Sequence, residues 1–304
     1  MASGTGSTLR LSFPQWQGAH GPVVADLLPE VGLEAGQYGY HLGGRLLQTL
    51  APTWDGPVAE VPVSTAPGPF EVDQGIYARS VVIDQLAGAL GVLRSAAPDR
   101  VVVLGGECSV SVAPFSHLAA RYPDDVALLW FDAHPDTTLP GMTNAGFHSM
   151  AVSTLVGVGD DTIVRMLPAT FPTERVLEVG TRSWYPDEDE SRRDLGIRTI
   201  GPQELGKRPA AVREWLASTG VSRAVVHIDL DVLDSTELSS VMGAEPGGLS
   251  REELVGLVTG LAEMTDIVGI TIAEYVPRDA LVLHHLLRRL PLLGREPGCT
   301  AIDE

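Results

Sequence analysis

Short apolar runs alternate along this chain with amphipathic stretches. Seven runs, Leu9–Phe13, Val58–Val63, Arg100–Leu104, Val126–Phe131, Arg175–Val179, Ala224–Ile228 and Ile267–Ile272, are short and mostly rich in Val, Leu and Ile. Strands buried on both faces read this way. Between them, apolar residues recur at helical spacing over Tyr77–Ser95, Val110–Arg121, Ala210–Ser218, Arg251–Met264 and Ala280–Leu290. Pro209 just before the third helix fits a helix start, and Ser250 with Glu253 forms a capping box for the fourth. Strand–helix alternation of this kind predicts an α/β fold, a parallel sheet covered by helices. Residues 14–57, rich in Gly and Pro, are expected to be mostly surface loops around one helix. No linker divides the sequence, so residues 1–304 are expected to form a single domain.

The polar positions that interrupt this pattern carry the chemistry. Asp132, His134 and Asp136 follow the run Val126–Phe131 at every second position. In extended chain such residues leave on one face. Asp229 and Asp231 repeat the spacing after Ala224–Ile228, with Asp234 just beyond, and Glu274 follows Ile267–Ile272. In parallel sheets ligands bind outside the carboxyl ends of the strands. Carboxylates crowded at one place repel and are driven to protonate, a penalty that a multivalent cation removes. The clusters therefore predict a site for more than one metal ion.

Composition narrows the partners. A net charge of −18 disfavours nucleic acid and suits a small cationic substrate. No apolar run approaches the ~20 residues of a membrane span. The start, Met-Ala-Ser-Gly, does not read as a secretory leader, so a cytoplasmic protein is expected. Two cysteines, Cys108 and Cys299, make no disulfide framework, and Cys299 is expected to be idle.

Four stretches, Gly105-Gly-Glu-Cys108-Ser, Asp132-Ala-His134-Pro-Asp136, His227-Ile-Asp229-Leu-Asp231-Val-Leu-Asp234 and Glu245-Pro-Gly-Gly-Leu249, resemble in content and order the arginase/agmatinase/formimidoylglutamase family, the ureohydrolases. The resemblance runs from about Val101 to Pro277. It implies a three-layer α/β/α fold, two Mn2+ ions per chain, a trimer or hexamer, and hydrolysis of a small guanidino or related amidine compound. Carried over by motif, Asp132 and Asp229 bridge the ions, Asp136 binds the first, and His134 and Asp231 bind the second. The hydroxide between the ions attacks the amidine carbon, and Asp136 passes its proton to the leaving nitrogen. His148 matches a cleft histidine proposed as acid/base or proton shuttle. Glu274 matches the acid that hydrogen-bonds the guanidinium, a charge-assisted contact.

Cys108 departs from this pattern, because the family normally has a histidine there that binds the first ion. Cys108 is a candidate metal ligand as thiolate, which favours softer ions than manganese and adds a negative charge that weakens the pull on bound water; the alternative is that it stays protonated and the first ion binds loosely. A hydroxyarginine amidinohydrolase branch is similar to this chain in carrying that change. Gly180-Thr-Arg182-Ser183 lacks the Asp that holds an arginine α-amino group, and Asn144 and Gly146 stand where the α-carboxylate contacts are expected. Arginine is therefore not the expected substrate. His227 occupies a position where the family usually has a small residue. His284 and His285 are read as structural, and Asp234 as either a turn former or a support of the ligands. Two other readings follow from the same residues. One is a single-zinc deacetylase-like amidohydrolase. The other is a homologue that lost the first metal and serves as a binding partner.

Overall fold

A computed structural model describes residues 6–238 and 245–293; Cys299 lies outside them. Its centre is an eight-stranded sheet built from β1 (Thr8–Phe13), β2 (Val58–Glu60), β5 (Arg100–Gly105), β6 (Val126–Phe131), β7 (Val176–Val179), β8 (Arg198–Ile200), β9 (Arg223–Asp229) and β10 (Asp266–Ala273). A two-stranded hairpin of β3 (Val72–Asp73) and β4 (Ile76–Tyr77) lies apart from it. The sheet order is β2-β1-β5-β10-β9-β6-β7-β8, and every pairing in it is parallel.

Alternation of side chains along each strand sends apolar residues to both faces, and helices cover each. On one face Val102, Leu129, Val226 and Ile270 pack with Leu47, Leu216, Leu254 and Leu283 from helices Gly39–Leu50, Ala211–Thr219, Arg251–Ala262 and Ala280–Leu287. On the other, Val101, Leu128, Val225 and Val268 pack with Val82, Leu86, Phe115 and Leu118 from helices Arg79–Ala96 and Val112–Arg121. The result is the three-layer α/β/α arrangement. Ser250 caps Arg251–Ala262 through the expected box with Glu253. Among the described residues no helix is long and apolar enough to cross a membrane.

The reading of residues 14–57 as mostly surface loops is wrong. Trp16, Ala19, Tyr40 and Leu47 are buried, and three helices cross the segment. Trp16, Ala19, Val24, Tyr40 and Val276 form a small core of their own beside the carboxyl ends of the strands. The polar edge strand β8 and the helix Pro186–Leu195 also went unpredicted.

Candidate metal centre

Four neighbouring strands in the middle of the sheet, β5, β10, β9 and β6, each end in a residue of the acidic clusters. Cys108 follows β5, Glu274 follows β10, Asp229 ends β9 and Asp132 follows β6. Phe131 is in register with Ile228, so Asp132 and Asp229, one residue on, lie level. Glu274 is delivered by a backbone turn with φ 63° whose N–H donates to the Gly106 carbonyl at 2.7 Å. Gly106 sits where the backbone passes Gln15 so closely that a Cβ would overlap the Gln15 carbonyl.

Asp132 and Asp229 are each fixed by the backbone two residues on. Asp132 Oδ1 accepts the His134 N–H at 2.6 Å, and Asp229 Oδ1 accepts the Asp231 N–H at 2.7 Å. Asp231 Oδ1 accepts the Ala133 N–H at 3.0 Å, which joins the two clusters. These side-chain-to-backbone bonds are the turns that Asp forms most readily. Asp234 works differently. It accepts the Thr236 hydroxyl, the Thr236 N–H and the Gly247 N–H, and these bonds hold its carboxyl down at about 2. It shapes the turn and lies away from the centre. Arg182, from the Gly-Thr-Arg stretch, donates to the carbonyls of Gly180, Asp231, Leu233 and Glu245 and so pins the same loop.

Donor atoms converge in three sets, each with all its atoms within 4.8 Å of one another: Asp132/His134/Asp231, Cys108/Asp229/Glu274, and Cys108/Asp132/His227. His134 Nδ1 is 3.0 Å from Asp231 Oδ2 and 3.5 Å from Asp132 Oδ1. Cys108 Sγ–H donates to Asp229 Oδ2 at 3.1 Å, and its backbone N–H donates to Glu274 Oε1 at 3.0 Å. His148 Nδ1 lies 3.4 Å from the same Glu274 oxygen. Asp136 belongs to none of the three sets. It is buried at φ 50°, and its Oδ2 has no hydrogen-bond partner.

Without a cation the electrostatics are unfavourable. Burial, then the neighbouring Asp231, pushes Asp132 up to about 7. Burial and adjacent carboxylates also raise Asp136 and Asp229 well above the usual range, and raise the Cys108 thiol. Burial opposes protonation of His134, but Asp231 and Asp132 overcome it and raise its pKa. Burial works against the Asp231 anion, yet His134 holds its pKa down. For His148, burial is likewise outweighed by Glu274, and the pKa rises. Divalent ions offset the cost of gathering such groups. The donors are carboxylate and imidazole, which suit manganese, with one thiol that suits zinc. The orphaned Asp136 oxygen adds a further donor to a set that fits divalent metal.

A cleft of about 410 Å³ opens above these groups. His134, Asp136, His148, Asp229, Asp231 and Glu274 line its floor, while Val23, Trp184 and Tyr185 line its walls. Sequence reasoning missed His20 and Glu188, which also line it. His20 sits in the segment misread as loop, and Glu188 in an unpredicted helix. Glu107, within the Gly105-Gly-Glu-Cys108 stretch, is buried between Gln15 and Ser109 and pushed up to about 7 by burial.

The model of the Arginase family matches residues 51–281, more than half of the chain. The chain belongs to the arginase family. It is 29% identical to an arginase of Eremothecium gossypii over 188 residues, 59% of this chain and 47% of that protein. To a mitochondrial arginase of Medicago truncatula it is 30% identical over 200 residues, 64% of this chain and 55% of that one. The chain spans about half the length of these curated relatives. Arginase from Bacillus caldovelox superposes with a TM-score of 0.74 at 20% identity, covering 96% of this chain and all of that one (100%). This arginase-family chain thus has the arginase fold.

Proposed function

We propose that this chain is a metal-dependent hydrolase of a cationic linear amidine, a guanidino or hydroxyguanidino compound, releasing urea or a related product. The observation that carries this reading is that two donor sets, Asp132/His134/Asp231 and Cys108/Asp229/Glu274, lie at the base of an acidic cleft lined by His134, Asp229, Asp231, Glu274 and His148. Asp132 and Asp229 are the groups to lie between two ions. Cys108 and Asp136 complete the first site, and His134 and Asp231 the second. Divalent ions held there lower the pKa of water and stabilise charge that develops on the attacked carbon's substituents. Manganese is the ion expected for the second site.

The remaining residues bind and move protons. Glu274, held by the Cys108 N–H, receives the planar amidinium through charge-assisted hydrogen bonds. His148, raised in pKa by that same carboxylate, carries a proton between the cleft and the leaving nitrogen. Asp136, which lines the cleft with its Oδ2 unpaired, is a second carrier. No Lys or Arg is among the described residues lining the cleft. A substrate carboxylate would find no Lys or Arg there, whereas the partly exposed Trp184 and Tyr185 offer apolar surface to an alkyl chain. Agmatine-like compounds are therefore favoured over arginine and guanidinobutyrate.

Urea release from arginine, hydroxyarginine, agmatine, guanidinobutyrate and formimidoylglutamate, with and without Mn2+, tests the reading. It fails if no amidine turns over at full metal occupancy. The Cys108 thiol, which donates a hydrogen bond to Asp229, favours a second reading with a single zinc. Elemental analysis separates one ion per chain from two. A single domain and a trimeric or hexameric assembly complete the proposal, and light scattering checks the latter.

A further inference from the structure

One layer beneath the strand ends, the sheet register aligns five side chains across five strands: Thr271, His227, Trp130, Glu178 and Thr199. They lie one step below Asp229 and Asp132 on the same face, because alternate residues of a strand share a side. His227 is fully buried and its ring lies flat on the Trp130 indole, with centroids 3.5 Å apart and planes 8° apart. The Trp130 Nε1–H in turn donates to Asp132 Oδ2 at 2.9 Å. His227 Nδ1 lies 2.8 Å from Ser111 Oγ, whereas Nε2 is buried without a hydrogen-bond partner. An imidazole held by a hydroxyl on one nitrogen and unsatisfied on the other is how a metal-binding histidine is oriented.

A ring nitrogen of His227, Cys108 Sγ and a carboxylate oxygen of Asp132 lie within 4.8 Å of one another. The set Asp132/His134/Asp231 shares Asp132 with this one. The two sets therefore stand on either side of one carboxylate, each with an imidazole of its own. We infer that His227 is a metal ligand, completing with Cys108 and Asp132 a sulfur–oxygen–nitrogen site that takes a zinc-like ion beside a harder site at His134. The inference rests on the metal-dependent reading above and adds a ligand and an ion preference to it. Cys108 binds as thiolate, and its proton goes to solvent. A thiolate and two borderline-to-hard donors suit Zn2+ or Co2+ better than Mn2+.

The test is binding rather than turnover. Metal-free full-length protein is titrated with Co2+ and Zn2+, followed by calorimetry and by near-ultraviolet absorption, where thiolate-to-cobalt charge transfer appears. Wild type is expected to bind two ions, with the charge-transfer band tracking one of them. His227→Ser is expected to weaken that ion at least about 100-fold, more than loss of a supporting group does, and to leave the other within a few-fold. Cys108→His with His227→Ser is expected to restore the affinity without the band. Proton NMR of the wild-type cobalt protein needs no variant, and should show two exchangeable imidazole N–H signals shifted by the metal. Two ions bound with unchanged affinity in His227→Ser, or a single shifted imidazole in wild type, overturns the assignment of His227 and leaves the hydrolase reading standing. A wild-type protein that binds neither ion overturns both.

Discussion

Glu178 allows the cost of burying an acid in this sheet to be measured directly. It is fully buried on β7, with Trp130 of β6 on one side and Thr199 of β8 on the other. Thr199 Oγ1 donates to its Oε2 at 2.7 Å, and Oε1 has no partner. Burial pushes its pKa from 4.5 to about 8, against the pull of Thr199 and the more distant Arg192. The unfolded chain releases this proton near 4.5, while the folded chain keeps it until about 8. Between those values the unfolded state binds fewer protons, so stability falls as pH rises. The slope from this group approaches about 1.4 kcal/mol per pH unit, and the whole loss is on the order of 5 kcal/mol. Glu178→Gln removes the titration and keeps an acceptor for Thr199. In urea unfolding with EDTA present, the variant should match wild type within roughly 1 kcal/mol near pH 5 and exceed it by several kcal/mol near pH 8.5. Other buried acids titrate in both proteins, so most of their contribution drops out of the difference; Glu188 and Asp132, which act on Glu178, contribute a smaller change. A stability difference that stays flat from pH 5 to 8.5 would refute the account.

Three further outcomes are expected. His148→Asn should lower turnover of the best amidine by roughly 10²–10⁴ while elemental analysis finds the metal content unchanged. Gly106→Ala forces the backbone off the Gln15 carbonyl, so it should cost at least about 2 kcal/mol in urea unfolding and reduce metal content with it. Stripping metal with EDTA should abolish turnover and lower the melting temperature by several degrees, since an ion at about 100 times its Kd contributes roughly 2.7 kcal/mol; readdition should restore both.

The sheet's interior was legible because its strands are buried on both faces and leave runs of Val, Leu and Ile in the sequence. Arg198–Ile200 escaped because an edge strand of three residues with two polar ones has no such run. Trp16 and Tyr40 escaped because their burial comes from distant partners such as Val276, while the local Gly and Pro content looks like loop. At the site, the every-second-residue spacing at 132–136 and 229–231 was readable, but the chain does not stay extended there: Leu230–Val232 turns as a 3-10 helix and Asp136 has φ 50°. Which strands lie side by side was not readable. The stack of Trp130 on His227, and the nearness of His227 to Cys108, follow from register between strands far apart in sequence. Glu178 carried a local signal, a lone acid within the run Val176–Val179, and it was passed over.

The turns that tie Asp132 to the His134 amide and Asp229 to the Asp231 amide have a consequence for entropy. These carboxylates lose their rotational freedom when the chain folds, so a cation arriving later has little left to freeze. Loading should then be limited by shedding water and protons, with no loop to reorganise. Amide exchange at residues 132–134 and 229–231 should be nearly as slow in the stripped protein as in the loaded one.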